Sequence, residues 1–160
     1  MAKIWFRDFP LDRARARGRG NLLEHMGIEP VEAGDDYVKA RMPVDHRTRQ
    51  PAGVLHGGAS VALAETVATW GATFCVDTDR FYCVGQEINA NHVRAVADGH
   101  VHATARPLHL GRKSQVWDVR ITDDAGKLVC VSRVTLAVLD RPSGYVTSGN
   151  VSRTPPASAS

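Results

Sequence analysis

From Gly57 to Val76 the chain carries apolar, small and hydroxylated residues and a single charge, Glu65. Ala and Leu dominate this run, and its length exceeds that of an ordinary strand, so it predicts one long helix beginning at Gly57. Upstream, GNLLEHMGIEP predicts a short helix with Asn21 as N-cap, ended by Gly27 and Pro30. DDYVKARMPV alternates, with Val38, Ala40 and Met42 inward and Tyr37, Lys39 and Arg41 outward, the pattern of a half-buried strand. DHRTRQPAG, between that strand and the long helix, reads as a polar loop. Downstream, four runs have the strand rhythm: RFYCVGQEINANHV, GHVHATARPLHLG, SQVWDVRITD and KLVCVSRVTLAVLD. In the third, Gln115, Trp117, Val119 and Ile121 oppose Val116, Asp118 and Arg120, and the alternation alone does not say which set faces inward. DDAGK joins the last two runs as a hairpin, with Gly126 free to take positive φ.

The order is therefore helix, strand, long helix, four strands. A helix with no polar face must be covered nearly all round. A single antiparallel sheet curled around it would do this, which predicts an α+β domain over residues 20–140. Residues 1–19 form an N-terminal segment whose Arg13, Arg15, Arg17 and Arg19 read as a solvated basic run. From Arg141 the composition turns to Pro, Ser, Gly and Thr, which predicts a loosely packed tail over 141–160.

Composition narrows the setting. A chain of 160 residues fits one domain, and 43% hydrophobic with 23% charged residues is ordinary for a globular protein. A net charge of +3 suits an anionic ligand but is too weak to indicate nucleic acid. Cys75, Cys83 and Cys130 are odd in number and lack C-x-x-C spacing, so we expect buried thiols and a cytoplasmic protein. The N-terminus lacks the pattern of a signal peptide. Glu65 and the hydroxylated residues of the long apolar run argue against a membrane span.

Two features of the long helix carry chemistry. The first is LHGG at its start. First-turn amides lack intrahelical partners, the helix dipole adds positive potential, and glycines let a ligand approach the backbone, which together suit a developing oxyanion. The same glycines would also serve a tight turn alone. The second is Glu65, because an unpaired carboxylate in an apolar helix is costly unless it faces a cleft and acts as nucleophile or general base. Glu65 lies eight residues after Gly57, or ~12 Å along the helix axis. A carbonyl held at Gly57 is then out of reach of Glu65 of the same chain. If both serve one substrate, the carboxylate comes from a second subunit across a two-fold interface. Thr69, one turn beyond Glu65 on the same face, is placed to hydrogen-bond the carboxylate or an attacking water.

Competing motifs fail on sequence. Gly58-Ala59-Ser60-Val61 lacks the final glycine of a G-x-S-x-G elbow, and the strands do not alternate with helices. His100 and His102 share a strand face, but no H-E-x-x-H or comparable set accompanies them, so no metal site is expected.

MPVDHRTRQPAGVLHGGASVALAET, INANHVR, PLHLGRKSQVW and SRVTLAVL, taken together and in order, resemble the hot-dog-fold thioesterases of the PaaI-like group. The likeness runs from about Gly20 to Leu139. It is nearest to the enzymes that hydrolyse 1,4-dihydroxy-2-naphthoyl-CoA in menaquinone synthesis and to their proofreading relatives of the enterobactin pathway. The resemblance implies that Glu65 attacks the thioester carbonyl or activates water, that Gly57 supplies the oxyanion N–H, and that Gln50 and His56 orient the thioester. It further implies that Thr69 assists the hydrolytic water and that His92 and Arg94 line the pocket. His109, Gly111, Arg112, Lys113 and Ser114 would meet the phosphates of coenzyme A. It implies a homodimer, usually doubled to a homotetramer, and no cofactor beyond the coenzyme A of the substrate. Two positions depart from the pattern: Ala52 replaces an aromatic common after Gln-Pro, and Thr69 stands where Ser is frequent.

The expected activity is hydrolysis of acyl-CoA thioesters, with aromatic acyl groups favoured. Acyl carrier protein is an alternative carrier of the acyl group. A non-catalytic acyl-CoA or acyl-carrier binding module on the same fold is the rival reading. A dehydratase would need a His/Asp pattern that the chain lacks.

Overall fold

The computed structural model describes residues 3–142. Its elements are α1 (Leu11–Arg17), α2 (Leu22–Met26), β1 (Glu29–Ala33), β2 (Val38–Pro43), α3 (Gly57–Phe74), β3 (Phe81–His92), β4 (His100–Leu110), β5 (Ser114–Asp123) and β6 (Leu128–Asp140). The strands form one antiparallel sheet in the order β1-β2-β4-β5-β6-β3, and α3 lies in its concave face. This is the expected α+β arrangement of a sheet wrapped on one long helix.

The alternation in the sequence sets the core. Val38, Ala40 and Met42 of β2 point at the helix, as do Val101, Ala103 and Ala105 of β4, all essentially inaccessible to solvent. On β5 the inward set is Gln115, Trp117, Val119 and Ile121. They meet Leu63, Ala64, Val67 and Ala68 of α3, the side of the helix with the largest apolar groups. Gly71 is required at the closest contact, since a Cβ there would lie 2.6 Å from the Trp117 ring. The Trp117 indole N–H donates to Gln115 Oε1 at 3.0 Å, which satisfies a buried polar pair. Gly71→Ala gains helix propensity but drives a methyl into a ring that cannot move. Overpacking of about 1–3 kcal/mol should dominate and lower the thermal midpoint by several degrees. Trp117→Phe in the same chain should recover part of that loss, and calorimetry of the four proteins measures the coupling.

Three expectations change. First, β1 is a strand where the sequence read only a helix stop. Pro30 sits on the sheet edge, where a missing N–H costs no ladder bond, and a bulge follows it. Second, the N-terminal segment carries a helix the sequence did not mark: Arg13, Arg15 and Arg19 are exposed as a solvated run requires, but the first two stand on α1, whose Asp12 and Arg15/Arg17 complement the helix dipole and whose Ala14 is buried against the domain. Residues 4–9 are also fastened down: Phe6 donates its N–H to Phe74 O (2.9 Å), and the Trp5, Phe9 and Phe74 rings pack edge to face. Third, α3 is not covered all round. Gly58 and Glu65 are exposed and Val61, Ala62, Thr69 and Thr73 half-buried, leaving an open stripe opposite the sheet. The sheet of one chain reaches only one side of the helix.

The three thiols are free; burial pushes Cys75 and Cys83 up to about 12, so they stay protonated at neutral pH. No helix among the described residues is long and apolar enough to cross a membrane. The tail from residue 143 onward lies outside the described residues.

Candidate active site

The start of α3 is built to leave one amide unused. His56 is the N-cap: its Nδ1 accepts the Gly58 N–H at 2.8 Å. Its carbonyl accepts from Ala59 (3.0 Å) and Ser60 (3.2 Å). Gly57 N–H alone in that turn has no partner among the described residues. An unpaired donor at a positive helix end is the geometry that holds an oxyanion. Because His56 Nδ1 accepts, the hydrogen-bond pattern assigns the neutral ring's proton to Nε2, on an exposed side chain able to donate.

Around Gly57 the structure assembles Gln50, His92 and Arg94, which line a cleft of about 390 Å³ with Ser60 at its inner end. Gln50 Oε1 accepts the Ala52 N–H (3.1 Å), which turns the amide nitrogen loose as a donor. His92 lies over Gly57 so closely that a Cβ there would come within 2.9 Å of its Nε2. Arg94 is anchored by Nε donating to Leu128 O at 3.2 Å. Four of the residues expected in the site therefore meet in space although they come from a loop, a helix start and the end of β3.

Glu65 stands elsewhere. It projects from the open stripe of α3 and lies against the backbone of Gly85, where any Cβ would collide with its Oε1. Gly85, Gln86, Glu87 and Ile88 frame it, at a bulge in β3 between Gly85 and Glu87. Glu65 forms no hydrogen bond or ion pair with any described residue, and Thr69, one turn on, makes none with it. The role of Gly85 and Gln86 was missed in the sequence, although a glycine inside a strand pattern, VGQE, is a known sign of a bulge or a close approach.

The third group lies at the far end of the helix. Gly111, Arg112 and Lys113 line a cleft of about 730 Å³ together with Cys75 and Val76, just past the C-terminus of α3. His109 folds over the turn against Gly111, whose N–H donates to Ser114 O at 3.0 Å. Arg80 joins these cations, a residue the sequence did not mark. Within one chain the helix length of ~27 Å separates this cleft from the Gly57 amide.

The loop that carries Gln50 is held by Asp45. Arg47 donates to Asp45 Oδ2 (2.7 Å) and Thr48 donates its N–H to Asp45 O (3.0 Å), while Thr48 O accepts the His56 N–H (2.8 Å). Hydrogen bonds from Arg47 hold the Asp45 carboxyl down at about 2, below its ordinary 3.8. Its folded value being depressed, its contribution is full above pH 4 and is lost as pH falls through about 2. Asp45→Asn should mimic that loss at neutral pH and raise amide exchange at Thr48 and His56 several-fold; unchanged exchange would remove Asp45 from this role.

No group of three or more His, Cys, Asp or Glu among the described residues is placed to hold a metal ion. His102 instead pairs with Asp124 at 2.7 Å, with the His100 ring 6.4 Å away.

A model of the thioesterase superfamily matches residues 52–130, which span Gly57, Glu65 and Arg112. The 1,4-dihydroxy-2-naphthoyl-CoA hydrolase of Escherichia coli (strain K12) is 46% identical over 136 residues, 85% of this chain and 99% of its own. The proofreading thioesterase EntH of Cronobacter turicensis is 48% identical over 136 residues, covering 85% of this chain and 98% of that protein. Among solved structures, a mutant thioesterase from Pseudomonas aeruginosa aligns with a TM-score of 0.86 at 43% identity, over 87% of this chain and all of that one.

Proposed function

The chain belongs to the thioesterase superfamily and is a thioester hydrolase, and from that premise we propose that it hydrolyses aromatic acyl-CoA thioesters at sites shared between two subunits. The observation that carries the reading is the pair of unpartnered groups on α3: the Gly57 N–H at its start and Glu65 on its open stripe. Each has the chemistry for one half of an acyl transfer, and within one chain they stand ~12 Å apart along the axis.

An antiparallel two-fold partner resolves the separation. β3 is a twelve-residue edge strand with no neighbour on its outer side among the described residues, and such edges call for pairing or protection. If two β3 edges pair with the two-fold axis between Ile88 and Asn89, Gly85 falls opposite His92 of the partner subunit. Glu65, which lies on Gly85, then approaches the amide of Gly57 of the partner subunit. The same symmetry brings the Arg80, Arg112 and Lys113 end of one chain toward the Gln50 and Arg94 end of the other, where those cations would meet the phosphates of coenzyme A beyond its pantetheine arm.

In this site the carbonyl oxygen accepts from Gly57 N–H and from the Gln50 amide. Glu65 either attacks the carbonyl carbon, giving a mixed anhydride that water opens, or takes a proton from water as it attacks. In both routes negative charge gathers on the carbonyl oxygen, the C–S bond breaks, coenzyme A leaves as the thiolate, and water supplies the oxygen of the acid. The name of the 1,4-dihydroxy-2-naphthoyl-CoA hydrolase supports a dihydroxynaphthoyl type of acyl group, and a hydroxybenzoyl type is the other aromatic candidate. A screen of thiol release over aryl- and aliphatic-CoA esters tests this: higher kcat/KM for the aryl esters is expected. Tight binding of every ester without thiol release would leave the non-catalytic module, and faster turnover of acyl-carrier-protein thioesters would replace coenzyme A as carrier.

A further inference from the structure

A further cleft, of about 490 Å³, lies between the N-terminal helices and the β1–β2 edge of the sheet, away from the Gly57, Glu65 and Arg112 groups. Its rim carries Arg15, Arg19, Arg41, Arg47 and His100. Only two carboxylates, Glu24 and Glu29, line it. Both acids are engaged: Glu24 Oε2 accepts the Gly20 N–H at 2.6 Å, and Glu29 Oε2 holds Arg41 at 2.9 Å. Arg15 reaches Asp12 (3.2 Å) and Pro30 O (3.3 Å), and Arg47 turns to Asp45, outside the cleft. The Arg19 side chain has no hydrogen bond or ion pair among the described residues.

The floor is different in kind. Leu23, Ile28, Pro30 and Pro43 form it, and Gly27, at φ 70°, brings α2 so close that a Cβ would lie 2.9 Å from Pro43. Half the arginine run that the sequence singled out thus stands over an apolar bed. Water and small anions are served by a charged surface alone. An apolar lining beside the guanidinium of Arg19 suits a ligand with a ring at one end and phosphates at the other.

We propose that this cleft is a nucleotide-binding site, with the base against Leu23 and Pro43 and the phosphates at Arg15 and Arg19. The same chemistry is available from a free nucleotide or from the nucleotide end of coenzyme A. The proposed function places the phosphates of the substrate's coenzyme A at Arg112 and Lys113, so a coenzyme A held here would be a second molecule, and the proposal stands apart from the catalytic reading.

The test is calorimetric titration of the full chain with ADP, inorganic pyrophosphate and coenzyme A, in wild type and three variants. ADP should bind saturably and at least tenfold more tightly than pyrophosphate. Arg15→Glu/Arg19→Glu should weaken ADP tenfold or more, and Arg19→Glu alone, at a side chain with no partner to lose, should weaken it several-fold without lowering the thermal midpoint. Arg112→Glu/Lys113→Glu should remove any ADP held at the substrate's phosphate cleft and leave a saturable component of ADP binding in place. A component of coenzyme A binding lost in Arg15→Glu/Arg19→Glu identifies the coenzyme as a source; loss for ADP alone identifies a free nucleotide. Absence of saturable ADP binding, ADP affinity equal to that of pyrophosphate, or ADP binding indifferent to Arg19→Glu overturns the proposal.

Discussion

Glu65→Gln should reduce kcat for an aryl-CoA thioester by about 10²–10⁴-fold, the span associated with a positioned base or nucleophile, while KM moves by no more than a few-fold. The expectation follows from the surroundings of the side chain. Glu65 is exposed on one chain, holds no hydrogen bond or ion pair there, and rests on the Gly85 backbone. Replacing it by an amide of the same shape therefore breaks nothing in the fold, and surface changes of that kind shift stability by about 0.5 kcal/mol or less. The thermal midpoint serves as the control. What the amide cannot do is attack a carbonyl or accept a proton from water. A variant that turns over within threefold of wild type would remove Glu65 from the mechanism and leave the Gly57 end to account for catalysis alone.

How much of this was legible beforehand depends on how each feature is written in the chain. α3 and β2 to β6 were legible because long periodic runs fix both element and face: Val38, Ala40 and Met42 are inward as their alternation requires. β5 was legible as a strand but not as a face, because Gln115 on the inner side and Val116 on the outer side dilute the contrast; the contact of Trp117 with Gly71, distant in sequence, decides it. β1 was hidden by Pro30, which reads as a stop unless one knows that the strand lies on an edge. α1 was hidden by its charge, since Ala14 is the one residue of its interior that is buried.

The open stripe of α3 was misjudged for a physical reason. Val61, Ala62, Thr69 and Thr73 are the small, weakly apolar residues that either a sheet or a second copy of the helix accepts. Composition does not distinguish a face buried by its own chain from one awaiting another. On the proposed reading, in which Glu65 and Gly57 serve one substrate, their spacing is what calls for that second copy. The cap at His56 was beyond reach of the sequence, because it is the pairing of the Gly58, Ala59 and Ser60 amides that leaves Gly57 as the lone donor.

Two dead variants should make a living enzyme when mixed. Gly57→Val places a side chain against His92 and blocks the approach of a carbonyl to the amide, so its homodimer should be as inactive as that of Glu65→Gln. Suppose each site takes its carboxylate from one subunit and its oxyanion amide from the other. A mixed dimer then has one site with both defects and one with neither. Unfolding and refolding an equal mixture to random pairing should restore about a quarter of wild-type turnover, since half the dimers are mixed and each carries one of two sites intact. The recovered KM should match wild type, because the restored site is unaltered. Size exclusion and mass spectrometry of the mixture establish that exchange has occurred. If the mixed dimers form and turnover stays at the level of the two variants, Glu65 and Gly57 serve from the same chain and the shared site is wrong. If turnover recovers, the open stripe of α3, the unpaired edge of β3 and the ~12 Å between the two groups have a single cause, which is that the active site does not exist in one subunit.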